Sequence, residues 1–305
     1  MGIVICRLPK AGLGNQLFPL MNALVFAKLN DLKIIITGYH HLKIGPYLRK
    51  EKIKRTYFGY FVFHQSFLRD ALQRIKILIY LLVYKRWDEP KVEKCDPTLL
   101  KGKVLIFQAL PTYFDYFIHL KQHWALVKQL LLENISLNVL NEIKAITNPV
   151  IGLHVRMGDF RKLKPGEDFS KVGHVRTPEE YFIDLVKEIR TLKNCELPVS
   201  LFTDGFRSEF EHLFNMNNIS LVEGHKDIVD LMVLSNSKII ITANGSTFSY
   251  WAAFLSEAPV IKHPDHLYAS FRPEYINKIY YEGPLFKNSC DELLYNNIQA
   301  IELLG

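Results

Sequence analysis

The chain has 305 residues, 49% hydrophobic and 23% charged, with a net charge of +7. That balance excludes a disordered or fibrous chain, and the length allows two domains that bury enough surface to need neither metal nor disulfide. Cys6, Cys95, Cys195 and Cys290 are scattered without a Cys-x-x-Cys spacing, which excludes a zinc ribbon or a disulfide scaffold and points to a reducing, cytoplasmic setting.

The charge is uneven. Residues 43–86 carry eleven Lys/Arg and two Asp/Glu, a local +9 that leaves −2 for the remainder. An anionic partner for this one segment is expected, not a general nucleic-acid coat.

The chain opens on Ile3 to Leu8, a short strand and far too short for a signal peptide. Cys6 stands where a myristoylation signal needs Ser or Thr. No run approaches the roughly 20 apolar residues of a spanning helix. Gly12-Leu13-Gly14-Asn15-Gln16 follows, then an apolar-periodic helix to about Leu29. Strand, glycine loop and helix is the arrangement in which backbone N–H groups hold an anion, and it also fits a plain tight turn. Lys33 to Thr37 is a second strand.

Leu68 to Tyr84 reads as a helix with a broad apolar face and basic ends. Two readings fit it: a helix lying peripherally on an anionic membrane surface, or a partly buried helix with snorkelling Lys and Arg. Val104 to Gln108 is a strand, and Tyr113, Phe114, Tyr116, Phe117 and Trp124 form an aromatic cluster suited to a sugar or, more commonly, to a core. One or two helices span Leu126 to Ile146. Asn148-Pro149 then punctuates the chain, dividing residues 1–148 from 149–305.

Val150 to Val155 is an apolar run with the form of a buried parallel strand. His154 and Arg156, two apart, share a face. An Arg there suits a phosphate, Gly158 allows close approach, and Arg156 with Asp159 equally suits an ion pair closing a turn. Thr177-Pro178-Glu179-Glu180 reads as a Thr-capped helix start running to about Leu192. Val199 to Thr203 is a strand ending in Asp204-Gly205, Asp227 to Leu234 a helix, and Lys238 to Thr242 a strand. Asn244-Gly245-Ser246-Thr247-Phe248 then opens a helix to Leu255. Ala258 to Ile261 is a last strand and Asp291 to Leu304 a last helix. Polar loops thus follow three strands of one half. A nucleotide-sized ligand across the edge of a parallel sheet would use all three.

Gly12-Leu13-Gly14-Asn15-Gln16-Leu17-Phe18, His154-Val155-Arg156-Met157-Gly158-Asp159-Phe160 and Asn244-Gly245-Ser246-Thr247-Phe248-Ser249-Tyr250-Trp251 occur in this order. Together they resemble glycosyltransferase family 11, the α-1,2-fucosyltransferases, over nearly the whole chain. The resemblance implies an α/β GT-B architecture, two Rossmann-like domains facing a cleft: an acceptor-side domain at 1–148 and a GDP-sugar-binding domain at 149–305. It implies GDP-fucose as donor, the 2-hydroxyl of a galactose-containing glycan as acceptor, inversion at the anomeric carbon, and no metal. Carried over, Arg156 meets the β-phosphate and is the main catalytic residue, with Asp159 as general base or as support. His154, Gly158, Asp204, Asn244, Ser246, Thr247 and Phe248 line the donor site, and Gly12, Gly14, Asn15 and Gln16 approach the pyrophosphate. The chain departs from the pattern at Met157, where the family often has a second Arg, and at Gly205, where it often has a second acid. Tyr39, His40 and His41 are acceptor candidates from their place after a strand. Alternatives are another nucleotide-sugar transferase, a non-catalytic GDP-sugar binder, and a nucleic-acid or membrane-surface binder acting through residues 43–86.

Overall fold

A computed structural model of the protein describes residues 2–39, 45–48, 57–63, 67–111, 114–265 and 268–302. His40, His41 and Tyr113 lie outside them. Among the described residues ten strands form two parallel sheets, the α/β arrangement that the GT-B resemblance implies. The chain divides into two compact units, Met1–Ile44 with Arg55–Asn141, and Gly45–Lys54 with Glu142–Gly305.

In the first unit β1 (Ile3–Arg7), β2 (Lys33–Thr37), β3 (Lys85–Asp88) and β4 (Lys103–Phe107) stand in the order β2-β1-β4-β3. Alternation along each strand sorts the core by face. Ile5, Val104 and Ile106 pack with Ile77 of the helix Phe67–Val83. Phe107 points the other way and meets Phe26 of the helix Leu13–Leu29, ring centroids 5.5 Å apart. The aromatic cluster is mostly core: Tyr116, Phe117 and Trp124 are buried, and Phe18 lies 5.1 Å from Phe117, while Phe114 is exposed. The stretch expected as one or two helices is two, Trp124–Asn134 and Leu137–Ala145. The units part inside the second of these, before Asn148-Pro149.

In the second unit β5 (Ile151–Val155), β6 (Val199–Thr203), β7 (Ile219–Val222), β8 (Ile239–Ile241), β9 (Val260–Ile261) and β10 (Glu282–Gly283) stand in the order β10-β9-β8-β5-β6-β7. β5 is central and wholly buried, which is why it reads as a continuous apolar run. Ile151, Leu153 and Val155 face a core made with the helices Glu179–Lys193 and Glu292–Gln299. Gly152 faces the opposite way. A Cβ there would lie 2.2 Å from Ser237 Oγ and 2.7 Å from Leu234 Cδ1, so glycine lets the end of the helix Asp227–Ser235 press onto the strand. His154 and Arg156 continue the Gly152 face toward the carboxyl edge.

Two expectations need correction. Thr177 does not cap the next helix: Pro178 occupies the N-cap, and Thr177 Oγ1 is buried without a hydrogen-bond partner. β3, β7 and β10 were not foreseen; all three are edge strands, and β10 is only two residues long. The last helix ends at Gln299 rather than Leu304, and begins with the Asp291 carboxylate accepting from Leu293 N at 2.9 Å. No helix among the described residues is long and apolar enough to cross a membrane.

Candidate active site

The carboxyl ends of three neighbouring strands build the site. β5 delivers His154 and, one step beyond its end, Arg156. The turn that follows is closed by Phe160 N donating to Met157 O at 2.8 Å, and it carries Gly158 and Asp159. β6, paired with β5 from Ile151↔Val199 to Val155↔Thr203, delivers Asp204. β8, paired on the other side, delivers Asn244 to Phe248.

Arg156 holds the first two ends together. Its guanidinium meets Asp159 Oδ1 at 2.5 Å through Nη2 and Asp204 Oδ2 at 2.5 Å through Nη1. The side chain of Asp204 is only 8% exposed and that of Asp159 is 40% exposed. Asp204 also accepts from Met157 N at 2.7 Å through its other oxygen, so it is anchored at both ends. Asp159 sits at the solvent side of Arg156. Phe160 lies under the guanidinium, 5.7 Å from ring centroid to Cζ.

His154 joins the first end to the third. Its ring stacks on Phe248 with centroids 5.0 Å apart and planes 27° apart. Burial first, and the Arg156 charge second, push its pKa down to about 3, so the imidazole is neutral at neutral pH. Its Nδ1 is buried with no hydrogen-bond partner, and so is Asn244 Oδ1. Two unsatisfied polar atoms on one sheet edge are costly to a fold and useful to a ligand that pairs them.

The third loop is shaped by a bond that the sequence did not suggest. Gly245 has φ +68, the left-handed region, and its N–H donates to Tyr250 Oη at 2.6 Å. A Cβ at Gly245 would stand 3.5 Å from Phe160, so this loop and the Arg156 turn pass close together. Ser246 is the N-cap of the helix Thr247–Leu255 but makes no side-chain cap bond. The N–H groups of Thr247 and Phe248, in the first turn, have no intrahelical acceptor and stand at a positive helix end.

The two departures from the family pattern touch one another. A Cβ at Gly205 would lie 2.7 Å from Met157 Cγ, so Met157 fills the space that Gly205 leaves. Met157 is on the core face with Val155, Phe182 and Phe210. There a cavity of about 220 Å³ reaches Thr177, on the opposite side of β5 from His154 and Arg156.

In the first unit the glycine loop sits where expected, between β1 and the helix Leu13–Leu29. Gly12 has φ −63 and open space where a Cβ would be, so neither backbone nor packing demands glycine. Gly14 is buried in the first turn beside Asn15. Gln16 is also buried, and its side-chain amide donates to Pro9 O at 2.8 Å, closing the loop on itself. Tyr39 follows β2, with its ring 6.3 Å from that of Phe63.

A parallel-sheet edge that brings together an Arg, a neutral His and a helix N-terminus is an anion-binding edge of an α/β protein. More particularly, the chain belongs to glycosyl transferase family 11, whose family model matches residues 6–272. An α-1,2-colitosyltransferase from Escherichia coli is 26% identical over 268 residues, covering 84% of this chain and 88% of that protein. Among solved structures, the apo form of POFUT1 matches with TM-score 0.51 and 12% identity, over 86% of this chain and 97% of that one. Fucosyltransferase NodZ from Bradyrhizobium matches with TM-score 0.47 and 14% identity, over 86% and 94%.

Proposed function

We propose that the protein transfers fucose from GDP-fucose to the 2-hydroxyl of a galactoside, with inversion and without a metal. The observation that supports this most is the meeting of three strand ends: Arg156 bonded to Asp204 across β5 and β6, and His154 stacked on Phe248 across β5 and the loop after β8. In the reaction the bond between the anomeric carbon and the β-phosphate oxygen breaks. The acceptor oxygen bonds to that carbon from the opposite face and gives up its proton to water, and GDP leaves with the bonding electrons. Negative charge grows on the β-phosphate, and Arg156 with the N–H groups of Thr247 and Phe248 is the set that meets it. Asp204 fixes Arg156 from below. Asp159 is assigned to support Arg156, its Oδ1 accepting from Nη2. His154 Nδ1 and Asn244 Oδ1 take hydrogen bonds from the donor. Gly12 to Gln16 are assigned to the pyrophosphate by the family resemblance.

The E. coli relative favours a second reading of the donor, one that carries colitose in place of fucose. A transfer assay with EDTA, comparing both donors on a panel of β-galactosides, decides between them. Product from GDP-fucose that Arg156→Ala abolishes supports the proposal, and linkage analysis of the product tests α-1,2. Product from the colitose donor alone shifts the reading to colitose. GDP binding without product on any acceptor moves the protein to the non-catalytic reading.

A further inference from the structure

The helix Phe67–Val83 has two apolar faces, and the sheet covers only one of them. Ile77 is buried against Ile5, Val104 and Ile106, and Tyr80, Leu81 and Tyr84 pack beside it. On the opposite side Leu68, Leu72, Ile75, Ile79, Leu82 and Val83 are exposed, Leu68 at 74% and Leu82 at 87%. Spacings of four, three, four and three residues from Leu68 to Leu82 keep them on one stripe. Seventeen residues make that stripe about 25 Å long.

Charge says what covers it. At 100° per residue, Arg69 and Lys76 fall on one border between the two faces and Arg74 on the other. Lys85 and Arg86, both exposed, follow the helix end. The helix has one acid, Asp70, which is buried and ion-paired to Arg74 at 3.0 Å. A second copy docked on this stripe would therefore bring cations against cations. A surface with an apolar interior and a negative rim fits both features at once, and an anionic bilayer is such a surface.

We infer that this helix lies in the surface of an anionic membrane, its Leu/Ile/Val stripe among the acyl chains and its flanking Arg and Lys on the headgroups. The inference is independent of the donor site. Its test is flotation of the whole protein with phosphatidylcholine vesicles containing about one-third phosphatidylglycerol, compared with phosphatidylcholine alone. The wild type is expected to float with the anionic vesicles, less so at high salt. Leu72→Glu with Ile79→Glu is expected to abolish flotation. Arg69→Gln with Lys76→Gln should weaken it about fivefold per cation removed. Unchanged thermal melting shows that both variants remain folded. Wild type that stays in the aqueous phase at low salt overturns the inference, as does a Leu72→Glu/Ile79→Glu variant that floats like wild type. A wild-type dimer dissolved by the same variant assigns the stripe to a second copy instead.

Discussion

Arg272 and Arg156 both lie in the second unit, and both are held by carboxylates. Arg272 is sealed: it donates to Ala258 O at 2.6 Å, Tyr281 O at 2.9 Å, Tyr280 O at 3.0 Å and Asn277 Oδ1 at 2.9 Å. Glu282, also buried, sits beside it and accepts from Lys262 at 3.0 Å. Burial lowers the Arg272 pKa to about 10, with Glu282 opposing the shift, so it stays charged at neutral pH. Burial alone would raise that of Glu282, but Lys262 and Arg272 more than offset it and bring it down. Arg156 instead keeps 19% of its side chain exposed at the sheet edge. The first arginine staples the segment after β9 to β10; the second is positioned where a ligand can reach it. An arginine's chemistry is constant, and what surrounds it decides between these uses.

The largest effect expected from breaking this comparison is on stability. Arg272→Met leaves Glu282 with Lys262 as its remaining buried cation and strips three carbonyls of a donor. A loss of about 3–5 kcal/mol in urea unfolding is expected. Arg156→Ala should act mainly on the reaction, lowering kcat about 10²–10³-fold, or roughly 3–4 kcal/mol of barrier, with a smaller loss of stability than Arg272→Met because Asp204 keeps its bond from Met157 N. Equal effects of the two variants on folding would erase the distinction. Gly205→Ala should cost about 1–3 kcal/mol because its Cβ meets Met157, and Met157→Ala in the same chain should recover part of that.

His154 sharpens the comparison through pH. Its folded pKa, about 3, lies below the ordinary unfolded value near 6.5. Between those values the unfolded chain binds the proton and the folded chain does not, so stability falls as pH drops through this window. The slope from this one group reaches about 1.4 kcal/mol per pH unit. Chemical denaturation between pH 4 and pH 6 should show a shallower slope in His154→Gln. The smallest effect is expected at Asp159. Asp159→Asn keeps a hydrogen-bond acceptor beside Arg156 and should change stability by less than about 1 kcal/mol. Its kcat should fall far less than that of Arg156→Ala, and a loss as large would make Asp159 the base.

Much of this was readable from the chain. Strands rich in Ile, Val and Leu announce themselves as apolar runs, so β1, β2, β4, β5, β6, β8 and β9 were found where the sequence placed them. The edge strands β3 and β10 were not, because Lys85-Arg86-Trp87-Asp88 and Glu282-Gly283 carry no burial pattern. The polar loops of the second unit were legible because Gly, Asn, Ser and Arg directly after an apolar run have few other uses. Tyr250 was not, since a tyrosine five residues into the loop gives no sign that its hydroxyl will take the Gly245 N–H. Arg272 was equally silent, because its partners come from separate stretches of chain.

Local pattern by itself determined the parallel α/β units, the order of their elements, the family, and the strand ends that carry polar side chains. The elements follow from periodicity and from backbone freedom at glycine, which a few neighbouring residues decide; the family follows from the resemblance of the three motifs. Tertiary structure alone decided that Asp204 rather than open solvent anchors Arg156, that His154 is kept neutral against Phe248, and that Met157 packs over Gly205. It also decided which face of the helix Phe67–Val83 the sheet leaves bare. Each of these depends on burial and on distances between residues far apart in the chain, and neither quantity is written in any one stretch of sequence.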